Sequence, residues 1–399
     1  MGLVVASSRT ALEASEKLAR DYPKEPVSFV ARNQRFDEDL GDIGVATVNR
    51  EGYQLTANGK QYYLTRSENR DRREAFAGYL EEKYGATPGP NRFLKHKVLI
   101  LAKDTPPVEQ PMIHEALESI GWMPISDVSK HGPTHWAELI HALGIEIAVV
   151  QNAEMAAKLR DIITVPHVVR EITNPATGEY RKTEVKLSLK EVIALENFHL
   201  QDTGGLTFTS YRDILRDGPR YKSDLDNFDG NDPTRLIPVV AEDGPPLVVV
   251  SSDQARLRAL QISHGTMWTE KDSIMANITM GHAFGGLTVD AGYLSRANLN
   301  FLHPHSNPRT VAAETRQARP TIIPVTPLHL EKVAEGILKS MGEDLDKVLR
   351  RVDKMTSGLT EWTGVPSVLR RMARVALKSY SDAVNNGERK KNSAIWKSY

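Results

Sequence analysis

Residues 96 to 170 constrain the fold of this chain more than any other stretch. Short apolar runs there alternate with helix-type periodicity: "HKVLILA" (96–102), "PMIHEALESIG" (111–121), "WMPISD" (122–127), "THWAELIHALG" (134–144), "IEIAVV" (145–150), "NAEMAAKLRDI" (152–162) and "TVPHVV" (164–169). The apolar runs are too short for helices and are bounded by turn residues, whereas the longer segments repeat apolar residues every three or four positions. Strand and helix in strict alternation fold as parallel strands with right-handed crossovers. The expected fold class is α/β, with a mostly parallel sheet core, an α+β N-terminal region and a helical C-terminal region.

Flanking segments fill in this frame. "YQLTANGKQYYLT" (53–65) places two strand-forming runs around Asn58-Gly59, the pair that a tight hairpin turn needs. Ser67 is the expected cap of a charged helix ending near Gly85, and Pro111 and Asn152 suit the starts of the second and fourth helical segments of the chain. A second hairpin is expected at "TNPATGEY" (173–180), then a helix from "SLKE", where Ser188 and Glu191 have capping-box spacing. Residues 201–235 are poor in periodicity. "LIPVV" and "PLVVV" read as buried strands, and Ser251 with Gln254 repeats the capping pattern. "TIIPVT" (321–326) is the last strand-like run, with helices following from Thr326-Pro327. These shifts divide the chain into 1–92, 93–200, 201–320 (loop-rich, with an acidic loop) and 321–399 (helical, with a basic tail). With 399 residues, more than one domain is expected.

Composition narrows the chemistry. Lys plus Arg equals Asp plus Glu, 51 each, so no global field draws the chain to nucleic acid or membrane. There is no cysteine, which removes thiol nucleophiles, iron–sulfur clusters and disulfides. No signal peptide opens the sequence and no apolar run approaches the ~18 residues of a membrane span. A cytoplasmic protein with no membrane partner is expected. Neither GxGxxG nor GxxxxGK[ST] occurs, so no NAD site is expected.

Ligands of parallel sheets bind beyond the carboxyl ends of the strands. The loops there supply Lys103 and Asp104, then Asp127, Lys130 and His131, then Gln151 and Asn152. Asp127 and His131 are the expected catalytic pair, since an imidazole can transfer a proton. Lys103, Asp104, Lys130, Gln151 and Asn152 are the expected substrate-binding set, with the lysines suited to phosphate. A second candidate is "SDLDNFDGNDP" (223–233), whose crowded carboxylates suit a hard divalent cation; Asp224 and Asp226 are the expected ligands, for Mg2+ or a similar ion. A third is the C-terminal segment, where Arg370, Arg374 and Lys378 fall on one helical face and suit contact with a phosphate backbone.

"NFLHPHSNP" (300–308) resembles the strand-end His-x-His-Ser of metal-dependent phosphoesterases in the polymerase and histidinol phosphatase family. That resemblance implies a metal held by His303 and His305. Pro304 favours a turn instead, and His329 is the sole histidine downstream, so no zinc site is expected at this pair. The resulting expectation is an enzyme acting on a phosphorylated small molecule or nucleic acid, of transferase or phosphoester-hydrolase type and divalent-metal dependent. The alternatives are a non-catalytic nucleic-acid-binding protein and a structural or assembly protein.

Overall fold

The computed structural model describes residues 8, 10–31, 56–57, 61–86, 96–103, 106–128, 131–174, 177, 179–187, 189–196, 198, 202, 205–222, 229–239, 247–253, 255–257, 268–302 and 308–325. Met1–Pro324 forms one compact unit and Val325–Tyr399 another. The expected helices after Thr326, and with them Arg370, Arg374 and Lys378, lie outside the described residues.

The chain has an α/β fold with a mostly parallel sheet. In sequence order the elements that build it are β4 (Lys97–Ala102), α3 (Gln110–Ser119), β5 (Met123–Val128), α4 (Gly132–Leu143), β6 (Ile147–Val150), α5 (Ala153–Thr164), β9 (Glu191–Ala194), β10 (Thr207–Ser210), α6 (Tyr211–Asp217), β11 (Pro233–Val239) and β12 (Leu247–Ser252). The seven strands lie in the order β10-β9-β6-β4-β5-β11-β12. All neighbours are parallel except β11 and β12. Residues 96–150 therefore fold as the alternation requires, with β4 between β5 and β6.

The central strands β4, β5, β6 and β9 are covered on both faces. Val98, Ile100, Ile147, Val149 and Ile193 pack with α3, α6 and α2 (Arg66–Tyr84). The alternate residues Leu99, Leu101, Ile125, Ala148, Val150 and Val192 pack with α4 and α5. Period-two alternation with apolar residues on both faces explains why these strands are nearly free of charge.

A second sheet has the order β13-β14-β1-β3-β2, from β1 (Pro26–Ala31), β2 (Thr56–Ala57), β3 (Gln61–Thr65), β13 (Ser273–Ala276) and β14 (Asn298–Phe301). It packs on α1 (Ala11–Asp21) and α7 (Ala283–Leu294) through Leu18, Val27, Leu64, Ile274 and Leu299. Strands β2 and β3 pair antiparallel as the hairpin requires; Asn58-Gly59 itself lies outside the described residues. The last helix of the unit is α8 (Pro308–Ala318).

Five expectations need correction. The run "TVPHVV" does not extend the parallel sheet: β7 (His167–Asn174) leaves it and pairs antiparallel with β8 (Glu179–Val185). That hairpin is the one expected at "TNPATGEY". "SLKE" starts no helix, for Glu191 begins the buried strand β9. The cap of α2 is Thr65, which forms a reciprocal capping box with Glu68, rather than Ser67. After β12 the capping hydroxyl is that of Ser252, which accepts from the Ala255 amide at 3.2 Å, one residue later than expected. "TIIPVT" contributes a single parallel bridge, Ile322 to Ile274.

Candidate functional site

The parallel register carries the strand ends to one edge. Leu101 of β4 lies between Asp127 of β5 and Val150 of β6, so the residues that follow these positions emerge together. Gln151 is buried there and its Oε1 accepts the Lys103 amide at 2.9 Å, tying the exits of β4 and β6. Asn152 caps α5, its Oδ1 accepting from the Met155 amide at 3.0 Å. Gln151 and Asn152 are thus engaged in holding backbone, while Lys103 shares the edge with them.

Asp127 is the centre of this edge. It is 1% exposed, because it belongs to a strand covered on both faces, yet it carries a carboxylate. His131 precedes α4, which opens with proline in its first turn, where a missing N–H costs nothing. Its Nδ1 hydrogen-bonds Asp127 Oδ1. One turn into α4 stands His135, 7% exposed, with Nε2 at 3.4 Å from Asp127 Oδ2. The two imidazoles meet edge to face, with centroids 5.0 Å apart. Burial holds His135 below the ordinary histidine range, against the pull of Asp127, so its ring is neutral at pH 7. Among the described residues, ligand atoms of Asp127, His131 and His135 all lie within 4.8 Å of one another, close enough for a single ion to meet all three.

Across the cluster the backbone comes close. A Cβ built on Gly281 meets the Ser126 carbonyl oxygen at 2.7 Å, so the segment between β13 and α7 rests directly on the end of β5. Glycine is required at that position by proximity alone.

Two carboxyls that the sequence did not single out share the edge. Burial pushes Glu109, beside α3, up to about 7, opposed by Arg72. Glu196, just past β9, is likewise pushed up to about 7 by burial, opposed by Lys103. Both therefore titrate near neutral pH, in the range useful for proton transfer.

The expected site residues are thus brought together in part. Asp127, His131, Lys103, Gln151 and Asn152 occupy one edge. Asp104, Lys130, Asp224, Asp226, His303 and His305 lie outside the described residues. Of the acidic loop, Asp229 and Asp232 are described: the Asn231 amide donates to Asp229 Oδ1 at 2.9 Å, and the Asp229 amide to Asp232 Oδ2 at 3.1 Å. That is a turn stabilised by its own side chains. His135 escaped the sequence reading because it sits within an apolar helical repeat, where a lone histidine reads as core. Its signal is the spacing Asp127, His131, His135.

No protein-family model and no curated protein matches the sequence. Solved structures do share the fold. VinN in complex with L-aspartate superposes with a TM-score of 0.53 at 12% identity, over 81% of this chain and 69% of VinN. A protein described as a long-chain-fatty-acid CoA ligase from Rhodopseudomonas palustris gives 0.56 at 14% identity, over 82% of this chain and 65% of that one. The N-terminal subdomain of Klebsiella oxytoca NpsA in complex with 3-hydroxyanthranilyl-AMSN gives 0.50 at 12% identity, over 80% and 61%. What is shared at this identity is the fold. The neighbours are adenylate-forming enzyme domains, and this chain spans about two thirds of their length.

Proposed function

We propose that the chain binds a nucleotide and a carboxylic acid at the carboxyl edge of its parallel sheet and joins them as an acyl adenylate. The observation that carries this reading is the fold itself, shared over about four fifths of the chain with a CoA ligase and an NpsA subdomain bound to an acyl-adenylate analogue. In that reaction a carboxylate oxygen attacks the α-phosphorus of ATP, a new P–O bond forms, and the bond to pyrophosphate breaks. Two anions must approach, so the protein's share is to position them and offset their charge. Lys103 and Lys130 are suited to the phosphates, and Asp127, His131 and the near-neutral Glu109 and Glu196 to holding or moving protons at the edge. Mg2+ carried on ATP supplies charge neutralisation when bound.

A second reading rests on a specific feature. In the sequence, the stretches that follow β4, β5 and β11, "KDTPPVE", "SKHG" and "AEDGPPL", hold no glycine-rich run that would let several amides cradle a phosphate. The same fold then serves as a binding module without turnover.

One assay separates the two. ATP–pyrophosphate exchange is followed with aliphatic, aromatic and amino acids, alongside calorimetric titration of ATP. Acid-dependent exchange supports adenylation; ATP binding without exchange supports the binding module. ATP hydrolysis that ignores the acid, or no ATP binding, overturns both.

A further inference from the structure

The adenylation reading gives Asp127 and His131 a part in proton handling and gives His135 none, although it stands against both. We propose that these three side chains form a binding site for one transition-metal ion of borderline softness, Zn2+ being the fitting case, with a fourth position open to an anionic oxygen.

Three observations converge. The first is spacing: His131 and His135 lie four residues apart at the start of α4, and Asp127 faces them from the end of β5, so a turn and a strand end fix the ligands. The second is the state of the buried atoms. Asp127 Oδ2 and His135 Nε2 are both buried, and neither has a hydrogen-bond partner. A buried carboxylate oxygen or ring nitrogen without a partner is destabilising, and these two atoms face each other. The third is their separation, 3.4 Å. That is too poorly oriented to bond, yet two ligands each about 2.1 Å from a tetrahedral metal stand about 3.4 Å apart. The pair is set at the edge length of a coordination tetrahedron.

Ligand type selects the ion. Two imidazoles and one carboxylate suit zinc and its first-row neighbours, whereas Mg2+ and Ca2+ prefer oxygen throughout. Asp127 hydrogen-bonds His131 through Oδ1, leaving Oδ2 for the ion. Three protein ligands are the number found where a fourth position is kept open. His131 is the most exposed of the three, at 23% of its side chain, so that position faces the solvent side of the edge.

The full chain, stripped with chelator, is titrated with Zn2+ by calorimetry, without ATP or acid, so the outcome is independent of the adenylation reading. One equivalent should bind. Cobalt should replace zinc and give the intense visible absorption of four-coordination, and Mg2+ in excess should not displace it. His131→Ala and His135→Gln should each weaken binding by more than the roughly 10–100-fold that loss of an outer partner costs. Circular dichroism and a thermal melt check that each variant folds. Should His135→Gln fail to fold, Asp127→Asn and His131→Ala carry the test. Absence of zinc binding by the wild type, or unchanged affinity in the folded variants, overturns the site.

Discussion

Glu191 opens β9 with its side chain fully buried and four donors converging on it. Tyr79 and Thr209 reach Oε1 at 2.5 Å, Lys83 reaches it at 2.9 Å, and Tyr84 reaches Oε2 at 2.7 Å. Burial alone would raise its pKa; the hydrogen bonds outweigh burial and hold the carboxyl below its ordinary 4.5. The stability this gives is present above that value and lost as pH falls through the lower folded one. Glu191→Ala should cost about 2–3 kcal/mol at pH 7 in urea unfolding, and Glu191→Gln should flatten the acid limb of the stability profile. Glu109 does the reverse. With its folded value raised to about 7, its contribution is present below pH 4.5 and lost as pH rises through 7. Glu109→Gln should leave the unfolding free energy at pH 5 nearly unchanged and raise it at pH 8, by about 3 kcal/mol. An unaltered pH dependence would refute the assignment. Neither role was legible in the sequence. Glu191 looked like a capping glutamate and Glu109 stood out in no way, because burial sets both and three of the four partners of Glu191 lie more than a hundred positions away.

At the scale of elements, local pattern told the truth where it was long and consistent. β4, β5 and β6 are near-uniformly apolar, and the helices between them carry amphipathic repeats and proline or asparagine at their starts. β7 misled because "PHVV" begins like its predecessors, but "REITN" follows, and the strand as formed is mostly half-buried or exposed. A strand carrying Arg170 and Glu171 fits a hairpin with an open face, not the middle of a parallel sheet. The short capping signal at Ser188 misled in another way, since no amphipathic repeat followed it to make a helix. One glycine shows what pattern cannot reveal. Gly78 lies mid-helix in α2, where alanine is ordinarily better by about 1 kcal/mol. A Cβ there would stand 2.0 Å from the Pro219 carbonyl oxygen, so the helix and the segment after α6 touch backbone to backbone. Gly78→Ala should therefore destabilise by about 1–3 kcal/mol despite its better helix propensity; a stabilised variant in chemical denaturation would contradict that contact.

Across the molecule, a buried ion cluster joins elements far apart in the chain. Arg256 meets Glu118 at 2.8 Å, Asp290 at 3.1 Å and Asp253 at 3.2 Å, while Arg235 meets Asp290 at 3.2 Å. It thereby links α3, β11, the turn after β12, and α7 of the second sheet. Opening it exposes a charge with no solvent, so Asp290→Asn should cost about 3–5 kcal/mol, readable as a fall in denaturation midpoint. The three apolar cores lie wholly within Met1–Pro324. A chain ended after Pro324 should still unfold in one cooperative transition; a gradual, non-cooperative melt would show that the second unit is needed. None of this long-range pairing could be read from residue order, since charge partners at positions 118, 235, 253, 256 and 290 leave no local mark.

Strand β1 lies between β3 and β14, with Ser28 opposite Leu299. That pairing ties timing to topology. During synthesis β1 can form its hairpin-side ladder with β3 early, but its other edge stays bare until nearly the whole unit has been made. At roughly 5–20 residues per second, the wait is on the order of 15–50 seconds. Throughout it, an apolar strand edge of the kind that pairs with strangers is open. Refolding should for the same reason be slow and concentration-sensitive, because closing so long a loop precedes its reward. A holdase that covers residues 26–31 would protect the nascent chain during the interval when it is most exposed to misassociation.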